Sequence, residues 1–295
     1  MKISVIIPTM DEQPAIADVL HDVVDALQQY SVDVIVVDKS KDETATRAAE
    51  LGAKVIHQSG TGYGDAYITG FQHISEDTET VVILDGDYTY DPYDIPKLLQ
   101  AINDGADFVI GARFALMDKG AMSRRNALGN RMLTALLRSL YHVRITDSQS
   151  GMRAIRRSAL DRLRLQSPRM PFASEMIVEA QKENLAITEV PIRYRARVGH
   201  AKLYPFRDAF GILFITIRRF LDYNPLVILL PGGLALILIG LGYGTTILIE
   251  YTNTGTVTRL AGLALSVILI LVGVQTLCFS LLSDLLLTNA QRRRA

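Results

Sequence analysis

Two aspartates two positions apart, Asp85 and Asp87, close a short apolar run, Val-Val-Ile-Leu, where the chain would emerge from a buried strand. A hard divalent cation takes oxygen ligands, and Mg2+ is commonly held by one or two carboxylates together with the phosphates of a substrate. The pair suits that task. Other acids follow other apolar runs: Asp11 and Glu12 come after residues 3–8, and Asp38 ends residues 32–38. A solvated loop explains any one of these acids, but together on one edge of a sheet they make a site for a cation or a sugar. Arg113, after residues 108–111, brings a positive charge to the same edge.

The elements that must position these residues appear as an alternation. Residues 3–8, 32–38, 54–57, 81–84 and 108–111 read as strands, and 15–29, 43–51, 65–74 and 96–103 as helices, which predicts an α/β domain with a mainly parallel sheet. Ligands of such sheets gather at the carboxyl ends of the strands. Gly60, Gly62 and Gly64 follow the third strand, but Asp65 stands where a dinucleotide fingerprint needs its third glycine, so they read as a flexible turn near a ligand.

Across 295 residues, 31 Lys and Arg balance 31 Asp and Glu, so charge gives no reason to expect a nucleic-acid partner. Cys278, the single cysteine, lies in an apolar run and reads as a buried packing residue rather than a disulfide, metal or nucleophile position. The apolar stretch at the N-terminus is too short for a signal peptide and is shaped like a first strand. Residues 224–249 and 260–283 carry no charge, and each exceeds the ~20 residues that cross a bilayer core. They predict two transmembrane helices. Arg218 and Arg219 precede the first and Arg292, Arg293 and Arg294 follow the second, so the positive-inside rule puts both termini and the catalytic part in the cytoplasm. Apolar residues at helical spacing before the first span predict an amphipathic helix at the membrane interface over 205–223, with packing on the soluble domain as the alternative. The expected division is thus 1–204, 205–223 and 224–295. Small residues in the first span permit close helix contact, so a homo-oligomer is a further expectation.

The ordered set Ile-Ile-Pro8-Thr-Met-Asp11-Glu12, Val-Val-Asp38-Lys-Ser40, Leu-Asp85-Gly-Asp87, Ile-Gly-Ala-Arg113 and Asp147-Ser-Gln-Ser150-Gly151-Met-Arg153 resembles glycosyltransferase family 2, most closely its dolichyl-phosphate mannose synthases. The resemblance implies a GT-A fold and a Mg2+ or Mn2+ ion. It also implies an inverting transfer of a hexose from a UDP- or GDP-sugar to a polyprenyl (dolichyl) phosphate. By the same resemblance, Pro8, Glu12 and Asp38 bind the nucleotide, and Asp85 and Asp87 hold the metal and diphosphate. Arg113, with Arg124 or Arg125, holds the acceptor phosphate. Asp147, Ser150, Gly151 and Arg153 form the loop that closes on the donor, and Lys202 is a late basic contact near the phosphates. Asp87, Arg113, Asp147 and Arg153 are the catalytic candidates. Thr89 stands where those synthases carry glutamine and Lys39 where they carry aspartate, which leans the donor toward a UDP-sugar. Other readings are a transferase for a different lipid-linked acceptor, a non-catalytic membrane scaffold, and a processive polysaccharide synthase. The last is opposed by the absence of tryptophan, which a Q-x-x-R-W motif requires.

Overall fold

The apolar runs form strands because β-branched side chains pack well on a pleated surface. The structure is a computed structural model describing residues 1–198, 226–257 and 259–292, with single positions between 211 and 218, and it divides into two units, Met1–Thr216 and Ile217–Ala295. In the first unit the chain runs β1 (Lys2–Thr9), α1 (Ile16–Ala26), β2 (Ser31–Asp38), α2 (Thr44–Glu50), β3 (Lys54–His57), α3 (Tyr63–Phe71) and β4 (Thr80–Ile83). It continues through α4 (Ile95–Asn103), β5 (Phe108–Met117), α5 (Arg124–Tyr141), β6 (Arg153–Arg156), α6 (Arg157–Leu160), α7 (Phe172–Lys182) and β7 (Ile187–Tyr194).

These strands make one sheet in the order β3-β2-β1-β4-β6-β5-β7. Ile3, Val5 and Ile7 of β1 pack with Ile16, Val19, Leu20 and Val23 of α1 and Leu98, Leu99 and Ile102 of α4 in one buried cluster. All paired strands run parallel except β6, which is antiparallel to both β4 and β5. That reversal positions the site. Because β6 starts where its neighbours end, Arg153 pairs with Ile83 and Ile110, and the loop that enters β6 is delivered to the carboxyl edge of β4.

All five strands expected from the sequence are present. The two others were hidden by their composition. β6 is Arg-Ala-Ile-Arg, too short and too charged at its ends to read as a strand, and β7 carries Pro191, which is tolerated because β7 lies at the sheet edge. The Gly60–Gly64 turn is tightly packed rather than flexible. A Cβ on Gly62 would fall 2.4 Å from Pro168 O, and one on Gly64 would fall 2.0 Å from Ser167 O.

The second unit holds α8 (Leu226–Thr254) and α9 (Leu260–Arg292). Leu229–Thr254 and Leu260–Leu286 are each long and apolar enough to cross a membrane, and within each only 17% of an 18-residue apolar stretch is buried, whereas the core helix of a soluble protein is mostly buried. Cys278 corrects the sequence reading: it is exposed on α9. The two helices bury their shared seam and leave their outer faces, leucines included, open. The stretch 205–223 lies almost wholly outside the described residues, and Lys202 lies outside them too.

Candidate active site

Leu84 N–H still donates to Ile6 O, after which the chain turns through Asp85-Gly86-Asp87. Tyr63 and Tyr67, one turn apart on α3, donate their hydroxyls to Asp85 Oδ1 at 3.0 and 3.1 Å. Burial, reinforced by nearby anionic groups, raises both phenols well above their usual range, so they stay protonated and remain donors. Burial, and then the charge of Asp87, pushes the Asp85 carboxyl up to about 6. A buried carboxyl whose ionisation is opposed by a neighbouring carboxylate forms a site that a cation relieves.

The third wall of this pair is Gly151. A Cβ there would fall 2.4 Å from Asp85 Oδ2, so glycine alone lets the loop lie against the carboxylate, and the Gly151 N–H donates to Tyr90 Oη at 2.6 Å. Asp87 Oδ1 accepts from Thr89 N and Oγ1 at 3.1 and 2.6 Å. Tyr88 between them has φ 60° and Asp11 has φ 51°, left-handed backbone at two non-glycine residues beside the acids. Asp38, buried, accepts from Thr9 Oγ1 at 2.7 Å and from Ser40 N at 2.9 Å. Lys39 donates to Gly60 O, tying the end of β2 to the glycine turn.

Arg113 and Asp147 form a buried two-pronged pair, Nε to Oδ2 at 2.7 Å and Nη2 to Oδ1 at 2.8 Å, and the Arg113 backbone N–H adds a third bond at 3.1 Å. The guanidinium lies 5.2 Å from the centre of the Tyr194 ring. Glu189 on β7 fixes the same loop, accepting from the backbone N–H groups of Thr146 and Asp147. Arg153, also buried, donates to the carbonyls of Ser150, Ala173 and Ser148, each at 2.8 Å. Ser150 Oγ is buried without a hydrogen-bond partner among the described residues, an unmet polar group of the kind a ligand satisfies.

A family model described as "Glycosyl transferase family 2" matches residues 4–164 of this chain. The chain belongs to glycosyltransferase family 2. Glycosyltransferase AglJ of Haloferax volcanii is 35% identical over 291 residues, 97% of this chain and 94% of the relative. The Dolichyl-phosphate hexose transferase of the same organism is 36% identical over 212 residues, 71% of this chain and 90% of the relative. The match to Low-salt glycan biosynthesis hexosyltransferase Agl6, also from Haloferax volcanii, is 38% identical over 70% of this chain but spans only 51% of that longer relative. Among solved structures, glucosyl-3-phosphoglycerate synthase from Mycobacterium tuberculosis in complex with Mn2+, UDP and glucosyl-3-phosphoglycerate superposes with a TM-score of 0.60 at 23% identity. That superposition covers 74% of this chain and 79% of the other, and the likeness establishes the GT-A fold.

The glycosyltransferase brings most of the residues singled out in its sequence to one edge. Gly151 meets Asp85, whose carboxyl feels the charge of Asp87, Arg113 meets Asp147, and Pro8, Glu12 and Asp38 lie at or just past the ends of the strands beside them. Arg113 and Arg153 are buried, so neither is a surface ion pair. The described bonds of Arg153 go to carbonyls of its own loop and of α7, so its guanidinium holds the loop that enters β6. Arg124 and Arg125 are exposed on the first turn of α5, and among the described residues neither makes an ion pair. Tyr63, Tyr67, Tyr90 and Arg197 also reach the site, though no motif in the sequence marks them. Arg197 joins Glu12 Oε1 at 2.6 Å and Asp87 Oδ2 at 3.3 Å. Burial works against its charge, but Asp87 and Glu12 outweigh that and hold its proton more tightly than usual. Among the described residues no three His, Cys, Asp or Glu side chains gather as a metal site. A divalent ion here would rely on Asp85, Asp87 and substrate phosphates, a donor set that fits Mg2+ or Mn2+.

Proposed function

We propose that this glycosyltransferase moves a hexose from a nucleotide diphosphate sugar to a polyprenyl phosphate of the dolichyl type, with inversion, and that it works beside the bilayer. The observation that carries the reading is the Asp85–Asp87 pair of carboxylates at the end of β4, with Gly151 packed against Asp85 and the Asp85 carboxyl pushed up to about 6 by burial and then by the charge of Asp87. Bound there, a divalent ion would neutralise the diphosphate and make it a better leaving group. Asp38 and Glu12 are candidates for the nucleotide. Ser150 and Gly151 face the donor side, and Arg113, oriented by Asp147, stands with Arg124 and Arg125 for the acceptor phosphate. A phosphate monoester has its second pKa near ~6, so at neutral pH it is largely dianionic and attacks without a protein base. Its oxygen forms the new bond to the anomeric carbon from the face opposite the diphosphate, which leaves with the electron pair of the broken bond. The chain's work is to bring two anions into line and to offset their repulsion.

The relative named Dolichyl-phosphate hexose transferase is matched over 90% of its length, which supports a lipid phosphate here, and the solved structure with Mn2+ and UDP supports a UDP-sugar and Mn2+. The lean toward UDP rests also on Lys39 and Thr89, which bond to Gly60 O and Asp87. Proximity to a membrane is supported by the two apolar helices and by α5. No acid occurs between Lys119 and Thr146, whereas Arg124, Arg125, Arg131 and Arg138 lie on α5 with Leu128 and Met132 exposed among them. Such a mixed basic and apolar face suits an anionic lipid surface. The positive-inside argument supports a cytoplasmic catalytic domain. Incubating detergent-purified protein with radiolabelled UDP- and GDP-sugars, dolichyl phosphate and Mg2+ or Mn2+ tests the reading. Label in the lipid from one donor supports it, and no label from any donor with folded protein would shift the acceptor elsewhere.

A further inference from the structure

The segment that follows β7 is laid along the acidic turn by two backbone bonds, Arg195 N–H to Thr89 O at 2.7 Å and Val198 N–H to Asp87 O at 3.3 Å. Between these bonds Arg197 points inward, with Nη2 2.6 Å from Glu12 Oε1 and Nη1 3.3 Å from Asp87 Oδ2. Its Nε is buried with no hydrogen-bond partner among the described residues. Arg153 offers a contrast within the same site, because all three of its nitrogens are bonded to carbonyls and it is a finished structural clamp. Arg197 instead pairs charge with charge and leaves one donor idle.

We propose that Arg197 is the resident counter-ion of the Glu12–Asp87 pair, filling with its own charge the place that a divalent cation takes when the donor arrives, so that free cation and Arg197 exclude one another. The inference rests on reading Asp85 and Asp87 as the cation pair. A cation entering alone must pull Asp87 away from Arg197 and leave a guanidinium beside a dication with Glu12 as its one remaining described carboxylate partner. A nucleoside diphosphate changes this, since its oxygens can receive both the metal and the displaced guanidinium. Cation and nucleotide therefore bind together, and either binds weakly alone. The enzyme would then hold its metal only when a donor is present.

Mn2+ binding by the full chain in detergent, read from the loss of the aqueous Mn2+ electron paramagnetic resonance signal, tests this without turnover. In the wild type, UDP or GDP should tighten Mn2+ binding by ~10-fold or more, the ordinary size of a coupling between two ligands. Arg197→Gln should bind Mn2+ alone ~10-fold more tightly than the wild type and lose most of that coupling. Arg197→Lys keeps the charge but not the fork, and should fall between the two. Mn2+ bound by the wild type equally well with and without nucleotide would overturn the inference, as would binding no tighter in Arg197→Gln than in the wild type. If Mn2+ failed to bind in every arm, nucleotide included, the metal role of Asp85 and Asp87 would fall with it.

Discussion

Asp85 and Asp87 differ in what they do for the fold, and substitution should separate the two. Removing Asp87 takes away the two bonds from Thr89 but also the charge that opposes ionisation of Asp85. Asp87→Ala is therefore expected to lose transfer activity by ~100-fold or more while melting close to the wild type, as loss of a group that stabilises leaving-group charge does. Initial rates and thermal melts on one preparation check this. Asp85 carries the opposite signature. Its carboxyl sits at about 6 against an ordinary 3.8, so the charged form is disfavoured in the folded state. The metal-free protein then loses stability as pH rises between those two values and stays at the lower level above them. Asp85→Asn, inactive, should melt higher than metal-free wild type near neutral pH, by ~2 °C or more. The gap should close toward pH 4 or when Mn2+ and nucleotide are added to the wild type. Melting curves in EDTA across this range would contradict the account if Asp85→Asn were the less stable protein throughout.

At the scale of elements, the antiparallel strand β6 matters most, because it turns the 147–152 loop onto the carboxyl edge of the sheet. The loop is held by the Arg113–Asp147 pair and the Arg153 clamp, both buried. Asp147→Ala leaves Arg113 charged, buried and unpaired, which should cost ~3–5 kcal/mol and show in a denaturant titration. That is the reverse of the pattern expected for Asp87→Ala. The acid motifs at strand ends were visible in the sequence because each sits where an apolar run stops. Arg197 and the α3 tyrosines were not, because they reach the site through a connection after β7 and a helix face whose partners only the tertiary structure supplies. α5 was also unread, since its apolar and basic residues share one exposed face. The chain has no tryptophan, so Leu128→Trp creates a single emitter on that face. In nanodiscs with brominated anionic lipids its fluorescence should be strongly quenched, whereas a Leu51→Trp emitter serves as the comparison. Equal, weak quenching of both would remove α5 from the membrane surface.

For the whole molecule, a GT-A domain carries an edge of acids and buried arginines, and a separate pair of helices, each long and apolar enough to cross a membrane, leaves apolar surface exposed. The two long uncharged stretches announced that pair directly. The outward Cys278 was misread because an apolar run in a membrane helix is turned toward lipid as readily as toward a partner helix. The bond that is made decides the function. Purified protein supplied with an α-linked nucleotide hexose, Mn2+ and dolichyl phosphate should yield a lipid in which the hexose is β-linked through a single phosphate, identified by mass spectrometry and proton and phosphorus NMR. Asp87→Ala should yield none. A product with the α configuration, a product carrying a diphosphate, or undiminished product from Asp87→Ala would contradict it.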